Sequence, residues 1–149
     1  MAANVTNDET LTLEEIEGKP WGEPPADASR LVKTVHELRR KPIGQLTAED
    51  LRVLLSQQTS VDALVPYALN LLETNPLVEG DYYPGDLLVA VLQLPAEFWR
   101  HHADLAARFG QVVTVASSMD FNAHYAPADV ISAAIDAYRT VGGQQQPGH

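Results

Sequence analysis

Five side chains with chemistry to offer, Glu79, Asp81, Tyr82, Tyr83 and Asp86, fall together in the stretch Asn75-Pro-Leu-Val-Glu-Gly-Asp-Tyr-Tyr-Pro-Gly-Asp-Leu-Leu88. Carboxylates accept charge-assisted hydrogen bonds from Lys and Arg, and tyrosine supplies a large, stiff contact area. Three acids beside two adjacent tyrosines, with no base between them, suit a surface that grips something basic. Pro76, Gly80, Pro84 and Gly85 give the segment a shaped path, because proline locks φ and glycine permits positive φ. Adjacent residues of an extended segment point opposite ways, so one tyrosine is expected inside and the other outside. Glu79 and Asp81 are then the contact acids, and Asp86 caps the helix that follows. The opposing reading keeps the cluster structural, with both rings on the core.

Catalysis finds less support. His101, His102, Asp104 and His124 are the only set that could hold a metal, but neighbours on a helix diverge by about 100° and neither HExxH nor a zinc-finger spacing occurs. Ser56, Ser60, Ser117 and Ser118 sit in no Gly-x-Ser-x-Gly elbow, and no phosphate-cradling glycine loop is present. Asp81 and Asp86 form the best pair for acid–base work, yet nothing near them along the chain raises a carboxylate pKa. The expectation is no catalytic residue, no metal and no cofactor. An acid–base hydrolase or transferase using the acidic loop is the alternative, and a helical regulatory adaptor a third reading.

The balance of charge bears on the partner. The 149 residues carry 20 acids against 10 bases, for a net charge of −10. Between Val53 and Trp99 there is no Lys or Arg, while Asp62, Glu73, Glu79, Asp81, Asp86 and Glu97 are all acidic. Such a field repels nucleic acid and speeds encounter with a basic protein. At 45% hydrophobic residues the chain can build a core. It has no cysteine, which excludes disulfides and thiolate chemistry and fits a reducing compartment. The first residues lack the basic and apolar regions of a signal peptide, and no run approaches the ~18 apolar residues of a membrane span. A cytoplasmic protein with neither a nucleic-acid nor a membrane partner is expected.

The elements that must position the loop read as helices. Residues 1–10 are polar and expected to be disordered. Thr12-Leu-Glu-Glu15 has capping-box spacing, Gly18 stops that helix, and Lys19–Pro25 forms an extended strap whose Trp21 folds onto the core. Asp27 or Ser29 caps a second helix with Leu31, Val32, Val35 and Leu38 inward and Arg39-Arg-Lys41 in its last turn, facing the dipole. Thr47 caps a third helix carrying Leu51, Leu54 and Leu55. A fourth starts near Val61, with Pro66 in its first turn or at a kink and Leu64, Ala68, Leu71 and Leu72 inward. The apolar run Leu87–Leu92 is read as a fifth helix, a buried strand being the alternative. Pro95 opens a sixth that continues through Gly110 to about Ser118, at a cost of ~1 kcal/mol for the glycine. A stop at Gly110 and a short strand over 111–116 is the other option. Pro127 opens a last helix with Ile131, Ala134, Ile135 and Tyr138 inward, and 142–149 reads as a disordered tail. The sum is an all-α fold, a single compact domain of about seven helices over residues 11–141.

A family resemblance rests on four segments in order. They are Lys19-Pro-Trp-Gly-Glu-Pro-Pro25, Leu38-Arg-Arg-Lys-Pro-Ile-Gly-Gln-Leu-Thr-Ala-Glu-Asp-Leu51, Glu79-Gly-Asp-Tyr-Tyr-Pro-Gly-Asp-Leu-Leu88 and Leu94-Pro-Ala-Glu-Phe-Trp99. Over about residues 10 to 100 the chain resembles the contact-dependent growth inhibition (CDI) immunity proteins. The resemblance implies a cytoplasmic protein that binds and blocks the C-terminal toxin domain of a secreted effector, often a nuclease. It names no catalytic residue, and it does not extend to residues 111–149.

Overall fold

Thr12 and Glu15 close a reciprocal cap: the Glu15 N–H donates to Thr12 Oγ1 at 3.2 Å, and the Thr12 N–H to Glu15 Oε1 at 2.9 Å. That box opens α1 (Leu13–Glu17), and Gly18, at φ 66°, ends it. The computed structural model describes residues 9–145, with side chains to residue 140. Ser29 caps α2 (Arg30–Leu38), and a Thr47–Asp50 box caps α3 (Ala48–Ser56) after a 3₁₀ turn at Ile43–Gln45. Then come α4 (Val61–Thr74), α5 (Asp86–Leu92), α6 (Ala96–Arg100), α7 (Ala103–Ser117) and α8 (Ala128–Gln145), with a second 3₁₀ turn at Asn122–His124. The described residues form a single all-α domain of eight α-helices with no strand.

The core is organised around α5. All seven of its residues are buried, and it packs against α3, α4 and α8. Leu54 of α3 and Leu64, Leu69 and Leu72 of α4 have no exposed surface, nor has Leu88 of α5 itself. The fully apolar run is thus a helix, wrapped on all sides. At its N-terminus lies the acidic loop.

Several expectations need correction. The long sixth helix is two: the chain breaks at His101 and His102, the latter at φ −139° and ψ 66°, before α7 begins. His102 stacks on Phe98 with centroids 4.4 Å apart, and its Nε2 reaches Asp62 at 3.3 Å. A continuous helix would carry His102 away from that pair. The expected continuation through Gly110 does hold, α7 running on to Ser117. Pro66 lies inside α4, past its first turn.

Trp21 does not enter the apolar core. It is 45% exposed and covers the Arg39 guanidinium at 4.2 Å, because the wall beneath the strap is a buried cation that favours an aromatic face. The Arg39–Lys41 cluster accordingly works through tertiary ion pairs more than through the dipole of α2. Arg39, 1% exposed, pairs with Glu17 at 2.8 Å and donates to Ser60 Oγ at 2.9 Å, while Arg40 meets Glu23 and Lys41 meets Asp50. On α2 only Val35 and Leu38 are buried; Leu31 and Val32 are exposed, since α2 packs chiefly on α3.

The ends also differ. Residues 1–8 lie outside the described residues, but Glu9 is tied in, its carbonyl accepting from the Gly44 N–H at 3.0 Å. At the other end α8 continues through Gly142 and Gly143 to Gln145, into the stretch expected to be a disordered tail, of which 146–149 lie outside the described residues.

A candidate protein-binding loop

Residues 75–86 leave α4 and return to α5 under tight local control. Asn75 Oδ1 accepts from the Leu77 N–H at 3.0 Å, an Asx turn that reverses the chain beside Pro76. Glu79 and Pro84 form an isolated antiparallel bridge, and the Gly85 N–H reaches the Val78 carbonyl at 3.3 Å. Gly85 then takes φ 95° at the N-cap of α5, where a Cβ would lie 2.7 Å from Ile131 Cδ1. Only glycine meets both demands.

Asp86 holds this loop from within. It is 3% exposed, and its carboxylate accepts from the Gly80 N–H at 2.7 Å and the Tyr82 N–H at 3.1 Å. It is not the N-cap of α5. That position belongs to Gly85, and Asp86, one residue inside, turns back to satisfy loop amides while keeping its charge at the positive end of the helix.

Two residues of α3 complete the arrangement. Glu49 and Arg52 form a two-pronged ion pair at 2.6 and 2.8 Å, and Glu49 also accepts from the Asp81 N–H at 2.9 Å. The Arg52 guanidinium then lies 4.4 Å from the centroid of the Tyr82 ring, with Asp86 3.9 Å away. The Arg52 hydrogen bonds hold the Glu49 carboxyl below its ordinary range, against a partial desolvation that pushes the other way. The Asp86 carboxylate meanwhile receives two N–H donors and lies 3.9 Å from the Arg52 guanidinium.

The two tyrosines part company. Tyr82 is 70% exposed on its arginine platform, whereas Tyr83 packs against the core, where burial and then the Asp86 charge raise its phenol pKa. Glu79 and Asp81 are exposed on either side of Gly80. Glu79, Asp81 and Tyr82 thus share an outward surface, and Tyr83 and Asp86 anchor it. Glu49 and Arg52 escape a sequence reading because an acid in a first turn and a base three residues on already have a local explanation. Their link to Asp81 spans 32 residues. A weak signal exists, since Arg52 is the last base before the long base-free stretch.

The other candidate groups are not assembled. His101 Nδ1 lies 2.9 Å from the Glu97 carbonyl of its own helix, His102 faces Asp62, and His124 sits apart in the α7–α8 connection. No group of three or more metal-ligating side chains occurs among the described residues, and no helix there is long and apolar enough to cross a membrane.

The described residues thus form a helical scaffold that carries an aromatic and acidic loop, held from beneath by Glu49, Arg52 and Asp86. A family model of the CDI immunity proteins matches residues 15–109, well over half of the 149-residue chain. The chain therefore belongs to the CDI immunity protein family. The match contains the whole acidic loop and ends inside α7, leaving α8 outside it. No curated protein and no solved structure matches the chain.

Proposed function

We propose that this protein neutralises the C-terminal toxin domain of a contact-dependent growth inhibition effector by stoichiometric binding in the cytoplasm, without catalysis, cofactor, membrane or nucleic acid. Membership of the immunity family supports a toxin as the partner. The observation that carries the choice of surface is Tyr82, 70% exposed yet resting on Arg52, in a loop whose Glu79 and Asp81 are also exposed. A pre-ordered aromatic loses little conformational freedom on binding, and aromatic anchors beside charges dominate many interfaces. Glu79 and Asp81 supply acceptors for Lys or Arg of a basic toxin face, and the base-free stretch around them speeds encounter. Tyr83 and Asp86 contribute by holding the loop in shape.

The experiment is the double charge reversal Glu79→Lys with Asp81→Lys, titrated against the cognate toxin domain. Both side chains are exposed, so the melting temperature should stay nearly unchanged while binding weakens by at least about tenfold, or ~1.4 kcal/mol. Binding that survives the reversal places the interface elsewhere. Turnover of the toxin by substoichiometric protein points instead to the acid–base enzyme.

A further inference from the structure

The two most exposed large hydrophobic side chains among the described residues are both tyrosines, Tyr82 at 70% and Tyr125 at 90%. Tyr125 ends the 3₁₀ turn at Asn122–His124, ahead of α8, and lies outside the residues 15–109 that the family model matches. Its backbone is left-handed, at φ 58° and ψ 27°. A bulky side chain is an outlier there, whereas glycine or asparagine takes that conformation readily. A ring left in solvent returns little to the fold for that strain. The turn is closed by the backbone, the Tyr125 N–H donating to the Asn122 carbonyl at 3.1 Å and the Ala126 N–H to the Phe121 carbonyl at 2.9 Å. Folding therefore asks for the main chain of residue 125 and not for its ring.

Packing brings this turn to the end of the molecule that holds the acidic loop. A Cβ built on Gly85 would lie 2.7 Å from Ile131 Cδ1, so the N-cap of α5 and the first turn of α8 touch. From that contact the chain runs three residues back to Tyr82 and six back to Tyr125. Glu49, in the first turn of α3, reaches the same loop through the Asp81 N–H. The N-terminal ends of α3, α5 and α8 therefore gather beside the two tyrosines. Both rings also stand in base-free chain. No Lys or Arg occurs from Phe109 to Tyr138, as none occurs from Val53 to Trp99. Asp120 and Asp129, both exposed, lie on either side of Tyr125 along the chain.

The geometry points to Tyr125 as a second aromatic anchor for the toxin domain, on the same end of the molecule as Tyr82. This rests on the function proposed above and adds a contact region to the same interface. The toxin face that fits is basic, with an apolar recess for each ring: its Lys and Arg side chains meet Glu79 and Asp81 at one anchor and Asp120 and Asp129 at the other. Two anchors on separate segments, joined beneath by the Gly85–Ile131 contact, also give the interface more breadth than one loop supplies.

The test titrates the cognate toxin domain with the full chain. Tyr125→Asn removes the ring and supplies a residue that tolerates the left-handed backbone, so the melting temperature should hold or rise. Binding should weaken by at least about tenfold, mostly through faster dissociation. Tyr125→Phe, which keeps the ring, should retain most of the affinity. Hydrogen exchange in the complex should show added protection over 122–126 together with 79–83. Wild-type affinity in Tyr125→Asn, an equal loss in Tyr125→Phe, or protection confined to 79–83 overturns the second anchor and leaves the proposed function standing. A wild-type chain that does not bind the toxin domain overturns both.

Discussion

The Arg52 guanidinium lies 4.4 Å from the centroid of the Tyr82 ring, so the most exposed aromatic of the acidic loop rests on a cation supplied by a different helix. Arg52 is in turn clamped by Glu49, which also fixes the Asp81 amide. Two elements distant in sequence, α3 and the loop, are therefore joined through one ion pair. The outer part of the loop, with Tyr82, is held in shape from α3, while Leu77 and Tyr83 tie its inner part to the core.

Arg52→Met keeps much of the aliphatic stem and removes the charge. Glu49 then keeps only the Asp81 N–H, and Tyr82 loses its platform, a cation–π contact worth about 0.5–1 kcal/mol at exposed sites. Denaturant unfolding should show a loss of about 1–3 kcal/mol, chiefly from the carboxylate left without its partner. Tyr82 fluorescence should become more mobile in anisotropy, and a wild-type anisotropy in the variant would count against the platform.

Asp86→Asn preserves volume but puts an amide where a carboxylate accepts two N–H donors. One of the Gly80 and Tyr82 amides must then face an NH₂ group or lose its acceptor, at about 1–3 kcal/mol. Hydrogen exchange reads this locally: those two amides should lose protection while the buried stretch of α5 keeps its own. Uniform loss across α5 would mean that Asp86 supports the helix more than the loop.

Why some of this was legible and some was not follows from the range of the interactions. The Thr12–Glu15 box, the Thr47 cap, one of the two caps offered for α2 (Ser29, with Asp27 the other) and the inward Leu64, Ala68 and Leu72 depend on neighbours within four residues, and local spacing exposes them. The five loop residues were visible because their types and crowding exceed what a connector needs. Invisible were the long-range polar partners: Arg39 buried against Glu17 across 22 positions, and Glu49 reaching Asp81. The break at His102 was hidden for a related reason. Four residues after Phe98 and three before Leu105, it has helical spacing to both, and its stacking on Phe98 and the approach of Asp62 from α4 are not readable from that spacing.

Acid should weaken the loop through Glu49. Its carboxyl is held below the ordinary value of 4.5 by the Arg52 hydrogen bonds first, with burial opposing and the Asp81 N–H assisting. A carboxyl depressed on folding contributes stability that is present above its unfolded value and lost as pH falls through the folded one. Glu73, depressed by Arg108, has the same sign. Wild-type stability should therefore decline below about pH 4.5. The stability gap between wild type and Glu49→Gln should narrow over that same range. A gap constant down to pH 3 would show that the pair adds nothing through charge.

Gly80 offers the sharpest test of how tightly the loop is held. A Cβ there would lie 2.6 Å from Glu49 Oε1 and 2.9 Å from Asp86 Oδ2. Real Cβ atoms do not approach other atoms so closely, so one carboxylate must yield. Glu49 cannot swing away without releasing Arg52 and the Asp81 amide, and the short Asp86 side chain cannot without releasing Gly80 and Tyr82. Gly80→Ala should thus destabilise by about 1–3 kcal/mol, although alanine restricts the unfolded chain more than glycine does. Gly110→Ala is the counterpart: its Cβ meets nothing, and it should stabilise by about 0.5–1 kcal/mol. Opposite signs for the two substitutions are expected. If Gly80→Ala is neutral or stabilising, the two carboxylates can relax, and the rigidity assigned to Tyr82 and its neighbours is lost with them.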